Sequence, residues 1–94
     1  MDNEKIAEIA KALSDPNRIK ILQMLSENEE LCACKILERF EITQPTLSHH
    51  MKSLCEAGLV TSSRVGKWMY YELQKETLRS FSQYIETLTD QLTD

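Results

Sequence analysis

Ile6, Ile9, Ala10 and Leu13 fall on one face at helical spacing, which predicts a first helix over about residues 3–13. Asp15-Pro16 restarts the chain, with the aspartate as N-cap and the proline at the first helical position. The helix that follows, to about Ser26, carries Ile19, Ile21, Leu22, Met24 and Leu25 nearly all round, so it is expected to be the buried centre of the domain. Beyond an acidic loop at 27–30, Ala33, Ile36, Leu37 and Phe40 keep the i, i+3, i+4, i+7 interval of a third helix. After a break at Glu41-Ile42, Thr43 caps a fourth, with Pro45 in its first turn. Leu47, Met51 and Leu54 make its buried face and Gly58 ends it.

The third and fourth helices, joined by a turn expected to be three or four residues long, form a helix-turn-helix. Residues 59–63 and 68–73 then read as two strands around Arg64-Val65-Gly66-Lys67, a hairpin with two cations and a glycine at its tip. The expected fold is mainly α with a small β-hairpin: one winged helix-turn-helix domain over residues 1–94. Over 76–92, Leu78, Phe81, Ile85, Leu88 and Leu92 alternate spacings of three and four, the seam of a helix that meets another along its length. Packing on its own domain is the plain explanation. A homodimer is favoured, with Ile6, Ile9, Leu78, Phe81, Ile85 and Leu88 at its interface.

At 94 residues the chain makes one small domain, and 41% apolar with 28% charged residues describes a folded soluble protein. No apolar run approaches the ~20 residues of a membrane span, and the polar start is no signal peptide, so a cytoplasmic protein with no membrane partner is expected. The three cysteines are then expected to be reduced thiols.

A formal net charge of −4 opposes nucleic acid taken as a total, but its distribution does not. Residues 43–71 hold Lys52, Arg64 and Lys67 against Glu56 alone, a mildly basic stretch in an acidic body. On the fourth helix, Gln44, Thr46, Ser48, His49 and Lys52 are the candidates for contact with DNA. Gln44 and Ser48 are suited to base edges, and His49 to a base or a phosphate. Arg64 and Lys67 would contact phosphates or enter the minor groove. His50 lies nearer the core edge, where a packed, hydrogen-bonded histidine is an equal expectation. A two-fold dimer would place two such helices on an inverted repeat in double-stranded operator DNA. No nucleophile–base set and no glycine-rich phosphate loop is present, so an enzyme is not expected.

Cys32 and Cys34 stand at the start of the third helix. On an ideal helix they point about 200° apart, one on each flank of the apolar stripe. Joining them would require the first helical turn to be absent or to give way. Closely spaced thiols suit soft species such as trivalent arsenic or antimony, Cu(I), Zn or Cd. Structural zinc would want four ligands at finger spacing, which are lacking, whereas trivalent arsenic takes three thiolates.

"ELCACKIL", "QPTLSHHMKSLCEAGLV" and "RVGKWMYYEL" together resemble the ArsR/SmtB family of metalloregulatory repressors in its arsenic-responsive branch, over about residues 6–92. The resemblance implies a homodimeric winged helix that represses its operator unliganded and releases it on binding inducer. It assigns the metal-site cysteines to Cys32 and Cys34, with As(III) or Sb(III) as inducer and no organic cofactor. Lys35 stands where such members often have aspartate, and Leu37 where some have a third cysteine. Cys55 is the remaining thiol, but helical arms opening at 90–120° would set it on the order of 20–25 Å from the pair. The last helix has no histidine for a Zn, Ni or Co site, and no cysteine precedes Cys32 for a lead- or cadmium-type site. A thiol sensor of oxidant or persulfide, and a winged-helix protein-interaction module, are the alternatives.

Overall fold

Side-chain caps start the helices where the sequence places them. Asp2 accepts from the Lys5 N–H at 2.8 Å, Asp15 from Asn17 N–H at 2.7 Å and Thr43 from Thr46 N–H at 3.3 Å. The computed structural model describes residues 1–91. The elements run α1 (Asn3–Ala12), α2 (Pro16–Ser26), β1 (Leu31–Cys32), α3 (Ala33–Leu37), α4 (Gln44–Glu56), β2 (Val60–Val65), β3 (Trp68–Leu73) and α5 (Lys75–Asp90). The architecture is a winged helix-turn-helix: helices around one core, with a small antiparallel sheet at one side.

The core is filled by Ile9 of α1, Ile21 and Leu25 of α2, Ile36 of α3, and Leu47, Met51 and Leu54 of α4, closed by Leu59 and Val60. On α1 the buried partner of Ile9 is Ala12, while Ala10, expected on that face, is exposed. α4 ends in a Schellman motif. Gly58, at φ 77°, donates to the Cys55 carbonyl at 2.9 Å and Leu59 to the Leu54 carbonyl at 3.0 Å.

Three features differ from expectation. α3 stops at Leu37, so Phe40 lies beyond it in a six-residue connection to α4. Lys20 of α2 secures that connection, donating to the Arg39 carbonyl at 2.8 Å with its ammonium 4.5 Å over the Phe40 ring. The second difference is an extra strand: β1 pairs antiparallel with β3, giving the order β1-β3-β2, with Leu31 opposite Tyr71 and Cys32 opposite Tyr70. Third, pairing of Val65 with Trp68 leaves only Gly66-Lys67 as the turn. Gly66 has φ 65° in the first turn position, as a type II′ hairpin requires, and Arg64 moves into the strand opposite Met69.

α5 contributes no buried residue. Leu78 and Phe81 rest against the core, but Ile85 and Leu88 are 46% and 50% exposed. The helix therefore projects from a body whose overall extents are 53 × 23 × 23 Å. Leu92, the last seam position expected from the sequence, lies outside the described residues.

The Asp15 cap offers a test of this scaffold. Burial pushes its carboxyl up, but the Asn17 N–H and the neighbouring His50 and Arg18 outweigh that and hold it below its ordinary value. Asp15→Ala should cost about 1 kcal/mol, or roughly 4–8 °C in Tm for a domain of this size. A lowered carboxylate stabilises above its unfolded pKa of about 4 and ceases to as pH falls through the folded value. The difference in Tm between wild type and variant should therefore be full at neutral pH and close in acid, as read by thermal melts across pH.

Candidate DNA interface and thiol pair

With Leu47, Met51 and Leu54 turned into the core, α4 presents Gln44, Thr46, Ser48, His49 and Lys52 to solvent. All five are exposed, spread over about 200° of the helix away from its core side. The Thr46 hydroxyl is already engaged with the Thr43 hydroxyl at 3.0 Å, inside the cap. Arg64 and Lys67 are exposed on the hairpin, the Lys67 ammonium 5.5 Å from the Trp68 ring centroid. A cleft of about 270 Å³ separates hairpin from helix, with Gln44 and Ser48 on one wall and Lys67 and Trp68 on the other. Helix and hairpin accordingly form one polar, cationic surface suited to a duplex.

His50 does not belong to that surface. It is 7% exposed, and its Nδ1 accepts from Arg18 Nε at 3.1 Å. The same guanidinium donates to the carbonyls of Lys11 and Ala12 at 3.3 and 3.5 Å. Arg18 therefore ties the end of α1 and the start of α2 to the recognition helix. Sequence reasoning left this residue out, because its partner lies 32 positions away.

The thiol pair is arranged differently from the expectation. Cys32 is in β1, with extended φ −67° and ψ 143°, and serves as N-cap of α3, its Sγ accepting from the Cys34 N–H at 3.2 Å. The 100° step between helical residues does not apply to it. Its sulfur is joined to that of Cys34 in a disulfide, with the Cα atoms 5.2 Å apart. Two corrections follow: the cysteines are a disulfide rather than reduced thiols, and they are not on opposite flanks of a helix. Of the two expected ways of joining them, the structure takes the first: no helical turn lies between them, and α3 stays intact. Cys32 is buried and Cys34 exposed. Both line an apolar cleft of about 370 Å³ against Leu31, Trp68 and Tyr70, so the pair sits against the half of the hairpin nearer its turn.

The interface residues expected for a dimer divide. Ile9 is fully buried inside the protomer and is not free to face a partner. Ile6 is half-buried, Leu78 and Phe81 lean on the core, and Ile85 and Leu88 stand open.

Residues 15–62, from the start of α2 into β2, match the model of the bacterial regulatory protein, arsR family. The chain belongs to the ArsR family. It is 46% identical over 88 residues to the arsenical resistance operon repressor of Staphylococcus xylosus, spanning 94% of this chain and 84% of that relative. An ArsR-family transcriptional regulator of known structure shares the fold at a TM-score of 0.90 and 20% identity, over 96% of this chain and 92% of its own. A homodimeric winged helix-turn-helix DNA-binding domain from Mycobacterium bovis, a possible ArsR-family regulator, matches at a TM-score of 0.74 and 26% identity. That alignment covers 93% of this chain and 80% of the other. The protein is a DNA-binding transcriptional regulator and not an enzyme.

No third thiol joins the pair among the described residues. Among the described residues no group of three or more His, Cys, Asp or Glu side chains is placed to hold a metal ion. Cys55 is free and lies beside Ser62. Ser62 pairs with Tyr71, and Tyr71 with Leu31, so Ser62 is two strand spacings, about 10 Å, from β1. The sheet thus brings Cys55 nearer the pair than two splayed helical arms would, while leaving it apart. Burial pushes the Cys55 thiol up and Glu56 adds to this, against the lowering effect of Ser62. It is therefore protonated and slow to react at neutral pH. Brief iodoacetamide treatment of the reduced protein, read by peptide mass spectrometry, should label exposed Cys34 before Cys55.

Proposed function

We propose that this protein is a metalloid-responsive repressor. It binds an inverted-repeat operator as a homodimer in the cytoplasm and releases it when As(III) or Sb(III) binds Cys32 and Cys34. The observation that carries the reading is the convergence of the two sulfurs at the α3 N-cap, beside the hairpin and 5.2 Å apart at Cα. Likeness to an arsenical resistance operon repressor over nearly the whole chain supports the choice of inducer.

The donor set fits a soft, thiophilic species as far as two sulfurs go. When bound, it would supply a bond to each thiolate, with the remaining position left to solvent or a small thiol. The chain's own residues do the rest. β1 holds Cys32 against Tyr70 of β3, and Cys34 also lines the cleft between the hairpin and α4. A change at the pair therefore reaches Lys67 and Trp68 on one side and Gln44 and Ser48 on the other, without unwinding α3. An allosteric coupling is typically about 1–3 kcal/mol per site. Inverting an occupancy from 99:1 takes about 5.5 kcal/mol, so both sites of a dimer would have to act together.

Gln44 and Ser48 are assigned to base edges, His49 to a base or phosphate, Lys52, Arg64 and Lys67 to phosphates, and Thr46 to the cap at the interface edge. The dimer is assigned to the open end of α5, with Ile6 of α1 beside it. Replacing both Ile85 and Leu88 by glutamate should convert a dimer to a folded monomer in analytical ultracentrifugation and weaken operator binding at least tenfold.

A specific observation favours a second reading: the sulfurs are already joined, as in an oxidant or persulfide sensor. The two readings separate in one experiment. The reduced protein on its own promoter duplex is titrated with As(III) and, separately, with peroxide. Release by As(III) that is lost in Cys32→Ser and Cys34→Ser supports the metalloid reading. Release by peroxide alone supports the redox one, and As(III) release from both serine variants rejects the site.

A further inference from the structure

A helix lying in the major groove of B-DNA has a phosphate strand on each side of it, since the groove is about 12 Å wide and the helix 10–12 Å across. On α4, Gln44 and Ser48 face the hairpin, whose Arg64 and Lys67 serve one of those strands. His49 and Ser53 lie about 140° further round the axis, so among the residues assigned so far the strand on that side is left to His49 and Lys52.

A second cleft of about 260 Å³ opens there, lined by Lys11, Arg18, His49, Lys52, Ser53 and Glu56. It joins the end of α1 and the start of α2 to the flank of the recognition helix. Three lysine or arginine side chains face one carboxylate, in a protein whose net charge is −4. Such a local excess of cations is costly to gather without an anion to meet it. Arg18 is held rigidly by its bonds to His50, Lys11 and Ala12, which engage Nε and Nη1. The two hydrogens of its Nη2 have no hydrogen-bond partner among the described residues. A fixed guanidinium with a free edge, beside two exposed ammonium groups, is a phosphate-binding arrangement.

We propose that this cleft seats a backbone phosphate of the operator, with Lys11 and Arg18 of the α1–α2 corner as contacts alongside His49 and Lys52. The recognition helix is then clamped on both sides, by the hairpin on one phosphate strand and by the α1–α2 corner on the other. The contact carries no sequence information and acts on any duplex.

Lys11→Ala tests this without disturbing the fold, because the side chain is exposed and alanine is a strong helix former. Binding of a promoter duplex and of a random-sequence duplex is measured by fluorescence anisotropy across a salt series. Lys11→Ala should weaken both duplexes by a similar factor, about three- to tenfold, and lower the salt slope by about 2 for a dimer with one phosphate contact per protomer. Glu56→Gln, which removes the cleft's carboxylate, should tighten both. Lys75→Ala makes the same change in net charge, in the acidic cleft beside the end of α2, and should leave the slope unchanged. An unchanged slope in Lys11→Ala, an equal drop in Lys75→Ala, or a loss confined to the promoter duplex would each overturn the assignment. A wild-type protein with no salt-sensitive binding to either duplex would overturn DNA binding itself.

Discussion

Two residues of backbone pairing hold the functional parts of this molecule together. Leu31 and Cys32 lie against Tyr71 and Tyr70, and among the described residues this short ladder is the only strand contact between the segment leading into the helix-turn-helix and the hairpin. Without it the hairpin would be a two-stranded ribbon, which is marginal in water. With it, the sheet has three strands, and the thiol pair becomes part of the hairpin's support. Cys32 then has two further tasks, capping α3 through its sulfur and supplying half of the pair. Strand, cap and disulfide share one residue.

The rest of the domain is arranged to keep that ladder in register with α4. The Schellman turn at Gly58 sends the chain from the end of α4 straight into Leu59 and Val60, both in the core, and so fixes where β2 starts. The Gln74 N–H donates back to the Leu59 carbonyl at 2.8 Å, closing the sheet just before α5 begins. Lys20 anchors the connection between α3 and α4 from the opposite side. The recognition helix is thus braced by α2 at two places, through Lys20 before its start and through Arg18 at its middle. α5 lies outside this framework, with Ile85 and Leu88 of its outer half open to solvent.

Much of this was legible because the chain is punctuated. Asp15-Pro16, Thr43, Gly58 and Gly66 mark boundaries through their own backbone and capping chemistry, and each lies where its chemistry demands. The exposed face of α4 followed directly from the phase of Leu47, Met51 and Leu54. What escaped has physical reasons. A two-residue strand has no period to detect, so β1 was invisible, and with it the true geometry of Cys32. Helical phase was applied to a residue that is not helical. Phe40 keeps the spacing of α3, yet it is held by Lys20 rather than by the helix. The Arg18–His50 bond joins two helices by tertiary packing, which no local pattern reports.

Trp68 has a consequence of its own. It is the chain's one tryptophan, half exposed, and it borders both the cleft that holds the two cysteines and the cleft facing α4. The indole emission of the unmodified protein therefore originates at a single point between the cysteine pair and the recognition helix. The molecule carries an optical gauge at that junction, built into its own sequence and needing no added label.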